Sequence, residues 1–288
     1  NHNLGELESS PELDLSIYEA IPEAQQILTQ ALGVDAAALK LTFETDIQRT
    51  YRVIEFEDAE IEVCLDVGVV RASGREQTIH EVEFELKSGS VQSLLAFSFE
   101  WVKKYQLWLD VRSKAEMGNL LALEQTVSPA RFEKEFVLSK KESAAHNLSL
   151  LIGQQMQHLL PNIAAISAGV AEQSHIDQAQ TALEHLQLTL ALFKDWNSNI
   201  SDKWAMQLAA FKHQFDHLQH LQHMQSTLGA FLQNPTTTEN LAKDILYAQE
   251  KLGNLVKSTQ NVHHYLELLT FSLSSHDQVQ KQDLKTYA

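Results

Sequence analysis

The run Glu81-Val82-Glu83-Phe84-Glu85-Leu86-Lys87 alternates charged and large apolar residues without a break. Successive side chains of a strand point to opposite faces, so the pattern predicts a strand with three glutamates and a lysine on one side. Glu60-Ile61-Glu62-Val63-Cys64-Leu65-Asp66 repeats the design: Glu60, Glu62, Cys64 and Asp66 share one face, and Ile61, Val63 and Leu65 the other. Further strand-like runs cover 41–56, 69–72 and, briefly, 107–111. Two helical patterns lie among them. Tyr18 to Leu32 spaces Ile21, Ala24, Ile27, Leu28 and Ala31 along one face and stops at Gly33. Ser90 to Tyr105 opens on a capping serine and carries Leu94, Leu95, Phe97, Trp101 and Val102.

From Ser128-Pro129 onward the pattern changes to long stretches rich in Leu, Ala, Gln and His. Helices are expected at roughly 141–159, 173–196, 202–232 and 238–273, with breaks at Pro161, Gly169, 197–201 and 233–238. Leu183, Leu186, Leu190 and Phe193 recur at intervals of three and four, the apolar stripe of a packed helix. The fold class is therefore α+β: a mixed domain at 1–120, followed by an all-α helical bundle at 129–288.

Bulk composition fits two domains, since 288 residues at 44% hydrophobic can bury two ordinary cores. A net charge of -16 excludes a general nucleic-acid or anionic-membrane binder, which needs a basic surface. The acid is concentrated early: 22 acidic and 10 basic residues precede position 121, against 16 and 12 after it. Cys64 is the single cysteine, so no intrachain disulfide forms and a cytoplasmic, reducing location is expected. No apolar run approaches the ~18 residues of a membrane span, and the start lacks the pattern of a signal peptide. It also lacks an initiator methionine, as in a chain cut from something longer.

The charged strand faces need an explanation, because glutamate is a poor strand former and like charges on one face repel. In one account both faces are washed by solvent on a sheet packed on one side only. In the other, the sheet curls toward a barrel with a polar interior, where carboxylates hold a divalent metal and basic residues grip an anion. Arg49, Arg52, Arg71, Lys87 and Lys114 are then candidate phosphate contacts.

Four segments carry a family resemblance. Thr45-Asp46-Ile47-Gln48-Arg49-Thr50, then Glu60 to Asp66, then Glu81 to Gly89, then Ser113-Lys114-Ala115-Glu116-Met117-Gly118 resemble, in order and spacing, successive motifs of the CYTH domain, the triphosphate tunnel fold. The resemblance implies a closed antiparallel tunnel that binds triphosphate with basic side chains and Mg2+ or Mn2+ with acidic ones. Bacterial members with a helical domain attached resemble inorganic triphosphatases, hydrolases that convert tripolyphosphate to pyrophosphate and phosphate. Carried over by position, Glu60, Glu62, Glu83 and Glu85 would serve the metal, Glu60, Glu62 and Lys87 catalysis, and Arg49, Lys87 and Lys114 the phosphate oxygens of the substrate. Glu81 is a further candidate by parity. Cys64 reads as a small filler. The family's N-terminal Glu-x-Glu-x-Lys strand is absent, and Gln48-Arg49 stands where Arg-Arg is usual. The expectation is thus a partial triphosphate-tunnel β-barrel whose unpaired strand edges favour homo-oligomers. A non-catalytic scaffold that binds polyphosphate or protein is the alternative.

The second half resembles the CHAD domain, a histidine-bearing helical bundle associated with polyphosphate. Leu151 to Asn162 resembles its first helix, with His158 and Asn162 at the expected places. The apolar frame continues from Asp177 to Phe193, but Gln180, Glu184, His185 and Gln187 stand where arginines are usual, and His175 lies two residues from the family's histidine position. Separately, His213, His217, His220 and His223 recur at helical spacing. Phe215, Leu218 and Leu221 define a core stripe there, and no acid or cysteine completes a recognisable motif. A solvated or pH-sensitive polar face is the first reading, a transition-metal site the second. Phosphate affinity rests on Lys and Arg, so residues 129–288 are expected to bind long-chain polyphosphate weakly or not at all. A tight, salt-sensitive complex in a titration with long polyphosphate would contradict this.

Overall fold

The computed structural model describes residues 15–18, 20–32, 41–135, 138, 140–195, 198–228, 231 and 235–274. Strands β1 (Glu44–Phe56), β2 (Ala59–Ala72) and β3 (Arg75–Ser88) form one antiparallel sheet in chain order. The sheet is open, not closed into a barrel. The runs expected at 60–66 and 69–72 are one strand, continuous through Val67 and Gly68. Two tight connections fix the pairing. At the second, Ser73 and Gly74 both take positive φ, 51° and 74°, the hand that suits right-twisted flanking strands. Asp66 thereby pairs with Glu81, Cys64 with Glu83 and Glu62 with Glu85, while the first connection sets Arg49 opposite Asp66.

Helix α1 (Pro22–Leu32) follows a single 3-10 turn at Leu15–Tyr18; the expected stop at Gly33 lies outside the described residues. Helix α2 (Val91–Tyr105) starts as expected at Ser90, whose hydroxyl accepts from the Ser93 N–H. The segment 107–111 is no strand. It is an irregular connection in which Asp110 turns its carboxylate onto Arg112, 2.7 Å away. Helix α3 (Lys114–Ala122) follows, capped by Ser113, which accepts from the Glu116 N–H at 3.1 Å. Gly118 is what lets α3 lie down on the sheet, because a Cβ there would sit 2.2 Å from the Phe43 ring. Met117 from α3 completes a small core with Val70 and Ile79.

The helical half comprises α4 (Ala144–Ser167), α5 (Gln173–Leu192), α6 (Ser198–Leu228), α7 (Pro235–Val256) and α8 (Thr259–Ser272). Three expected boundaries differ, and the first is that α6 already begins at Ser198, inside the break expected at 197–201. Helix α4 runs straight through Pro161, because burial of Leu159, Ile163 and Ala164 around it offsets the ~3 kcal/mol cost of an interior proline. The stretch 238–273 is two helices, since Ser258 caps a new start by accepting from the Asn261 N–H. Leu183, Leu186 and Leu190 are fully buried in the bundle core, with Phe193 packed against it. Among the described residues, no helix is long and apolar enough to cross a membrane.

Helix α2 joins the two halves. One side sends Phe97 into the apolar face of the sheet, its ring 5.3 Å from Phe56 and 5.2 Å from Phe84; Ile61 and Val63 complete that cluster. The other side packs Leu95 and Val102 against Val262 and Leu266 of α8. Phe97→Ala should therefore cost about 3–5 kcal/mol in chemical denaturation. A loss below about 1 kcal/mol would mean that the sheet does not lean on α2.

Candidate functional site

The second face of the sheet gathers the charges. Residues directly opposite in an antiparallel pair share a face, so Arg49 (β1), Glu62, Cys64 and Asp66 (β2) and Glu81, Glu83 and Glu85 (β3) lie on one side. Helix α3 adds Lys114 from above. Arg49 donates from Nε and Nη2 to Asp66 Oδ1 and Oδ2 at 2.7 and 2.6 Å, a two-pronged contact, and reaches Glu83 Oε2 at 2.5 Å. Lys114 Nζ lies 2.7 Å from both Asp66 Oδ2 and Glu83 Oε1, and also meets Glu81. Lys87 Nζ stands 3.3 Å from Glu62 Oε1 and 3.4 Å from Glu85 Oε2. The Cys64 thiol donates to Glu62 Oε1 at 3.6 Å. The Asp66 side chain is fully buried, whereas Arg49 and Glu85 are 40% and 46% exposed, so the cluster has a closed floor and an open rim.

Electrostatics follow this depth. The hydrogen bonds from Arg49, supported by those from Lys114, hold the Asp66 carboxyl down to about 2 against a burial that alone would raise it. Burial alone would lower Lys114, but hydrogen bonds to Asp66, Glu81 and Glu83 outweigh it and push the ammonium pKa up. Arg49 is raised by its hydrogen bond to Asp66, and Lys87 by its bond to Glu62. Burial pushes the Cys64 thiol up, which keeps it protonated. Five carboxylates (Glu62, Asp66, Glu81, Glu83, Glu85) face three cations (Arg49, Lys87, Lys114), an excess of two negative charges. One divalent cation would balance it.

Two sets of three donor groups lie within 4.8 Å of one another: Glu62, Cys64 and Glu85, and Asp66, Glu81 and Glu83. In the second set, Arg49 and Lys114 already occupy the carboxylate oxygens. The first is braced by Lys87 and sits nearer the rim, so its two carboxylates fit a hard divalent ion better.

The other expected site residues lie elsewhere. Arg52 is paired with Val63 and so belongs to the apolar face, three residues out of phase with Arg49. Arg71 is likewise on that face, where it bonds Glu76 at 2.7 Å and Asp46 at 3.0 Å. Strand parity separates both from the carboxylate cluster. Glu60 shares the polar face but stands exposed beside Glu55 and belongs to neither donor set, next to a bulge in the β2–β3 pairing. Asp66, by contrast, is the hub and was not among the expected ligands; counting the register back from Ser73-Gly74 brings it opposite Glu81.

In the bundle, His158 is buried with Nε2 3.0 Å from Gln178 Oε1, and desolvation lowers its pKa. His175 accepts the Glu172 N–H at Nδ1 and donates from Nε2 to the Ser128 carbonyl at 2.9 Å, a bond that ties the linker to α5. The Asn162 side chain holds both the N–H and the carbonyl of Arg131. Three of the four residues that stand where the CHAD resemblance would put arginines are engaged within the fold: Gln180 with Asp216, Glu184 with Lys212 and His185 with Glu133. A cavity of about 720 Å³ lies away from the charged sheet face, between the linker, α4 and α8, with Arg112, Arg131, Gln154 and Leu160 in its walls.

Comparison with known proteins finds a partial relative. The chain is 34% identical over 143 residues to an inorganic triphosphatase of Haemophilus influenzae, a match covering 48% of this chain and 41% of that protein. The likeness supports a CYTH-like family. No family model matches the chain. The chain spans less than half the length of that curated relative.

The ionised form of Asp66 is favoured in the folded state, so its contribution is fully present above pH ~4 and is lost as pH falls toward 2. Asp66→Asn should cost about 2 kcal/mol in urea denaturation at pH 7, and the gap to the parent should close below pH ~4. A gap that stays constant down to pH ~2 would contradict the assignment.

Proposed function

We propose that this chain carries the acidic half of a triphosphate site, in a protein that hydrolyses inorganic triphosphate to pyrophosphate and phosphate. The observation that carries the reading is the mixed cluster on one sheet face, where Arg49, Lys87 and Lys114 are each held by carboxylates. Such cations are positioned before any ligand arrives, and a polyanion would exchange for some of their carboxylate partners at little cost in reorganisation. The name of the partial relative, inorganic triphosphatase, supports the substrate class.

In this reading Arg49, with its planar fork, and Lys114 grip phosphate oxygens, while Lys87 neutralises charge on the transferred phosphoryl group. Glu62 and Glu85 hold the divalent ion, Mg2+ or Mn2+, which supplies charge neutralisation and a positioned water. Asp66, Glu81 and Glu83 keep Arg49 and Lys114 extended over the sheet. Arg52, Arg71 and Glu60 have no part, because their positions lie off the cluster. The open sheet favours a second reading for this chain alone, in which it binds triphosphate without turning it over.

Two measurements separate these readings. Calorimetric titration with tripolyphosphate in Mg2+ should show binding that Lys114→Met weakens about tenfold, with orthophosphate release that Glu62→Gln abolishes. Binding without release would leave the scaffold reading. Equal affinity in the parent and Lys114→Met would end both.

A further inference from the structure

Helix α6 carries a row of imidazoles that the sheet chemistry does not use. Its inner face is set by Phe211, Phe215 and Leu218, each no more than 2% exposed. Advancing about 100° per residue, His213, His217 and His220 come out on the opposite side, and all three are exposed. Their neighbours Lys212 and Asp216 are turned toward α5, where they meet Glu184 and Gln180. His217 and His220 have no hydrogen-bond or ion-pair partner among the described residues. Among the described residues His213 meets only Gln214, whose Nε2 lies 3.3 Å from the imidazole Nδ1, so the imidazole Nε2 has no partner there.

We propose that His213 and His217 form a binding site for one divalent transition-metal ion, of the class of Zn2+. Two imidazoles four residues apart on a helix stand one turn above one another, the spacing at which both rings reach a single ion. Rotation of the Gln214 amide would turn the same 3.3 Å contact into an Nδ1–H donor bond, the outer-sphere partner that a metal-bound ring uses. Two protein donors leave the remaining positions of a tetrahedral ion to water or to a second molecule. His220, one turn on, offers an alternative partner for His217. Donor softness separates the two surfaces: imidazole prefers Zn2+, Cu2+ or Ni2+, whereas the oxygen donors of the sheet prefer Mg2+ or Mn2+. The α6 site therefore does not rest on the triphosphatase reading.

The test is calorimetric titration of chelator-stripped protein with Zn2+, with excess Mg2+ present to occupy the carboxylate face. Saturable uptake is expected, and the double variant His213→Gln and His217→Gln should weaken it at least tenfold, since even a supporting partner of a ligand is worth about 10–100-fold in affinity. Both positions are exposed and Gln is a good helix former, so helix content by circular dichroism should be unchanged. Parent protein that takes up no Zn2+ would overturn the proposal. So would a double variant, folded by the same circular dichroism criterion, that binds as tightly as the parent.

Discussion

The fully buried Asp66 carboxylate constrains much of the molecule's first half. Burying an ionised group costs several kcal/mol unless it is paired and hydrogen-bonded. Asp66 meets that requirement with cations from two different elements, Arg49 on β1 and Lys114 on α3. Each of those must be delivered accurately. Arg49 depends on the β1–β2 register, and Lys114 depends on α3 lying close to the sheet, which the missing side chain at Gly118 permits. Fold and site are therefore set by the same contacts, and a change that spoiled the register would leave a charge buried without a partner.

A depth gradient on that face divides the labour among its acids. Near the floor, carboxylates are saturated by Arg49 and Lys114 and act as anchors. Toward the rim, Glu62 and Glu85 share Lys87, with the Cys64 thiol on Glu62 and a longer contact of 3.8 Å from Arg49 to Glu85, so their oxygens are more available. Residues of one chemical type thus take structural or ligand-binding roles according to what stands beside them.

Much of this was legible in the alternation of Glu81 to Lys87 and Glu60 to Asp66, which identifies the strands, their charged side and the face that α2 covers. The resemblance to triphosphate-tunnel motifs brought Arg49, Lys87, Lys114, Glu62, Glu83 and Glu85 together, and the structure puts them on one surface. Arg52 and Arg71 were misplaced because a basic residue near a motif carries no information about which way it points until parity is counted from a neighbour. Asp66 was overlooked as a hub because its role depends on pairing across two turns, and the sequence of a single strand does not state its partners. Helix α3 was missed because its nine residues, interrupted by Gly118, present a weak periodic signal. Pro161 misled in the other direction, since local propensity says nothing about how much buried surface a helix has on either side.

The double allegiance of α2 has a mechanical meaning. Its 15 residues make a stiff rod about 22 Å long, gripped along one flank by the sheet and along the other by α8. Such a rod does not bend to satisfy one neighbour. Any shift of the strands that displaces Phe97 must tilt the whole rod and press Leu95 and Val102 into α8, so the bundle is geared to the surface where the charges meet.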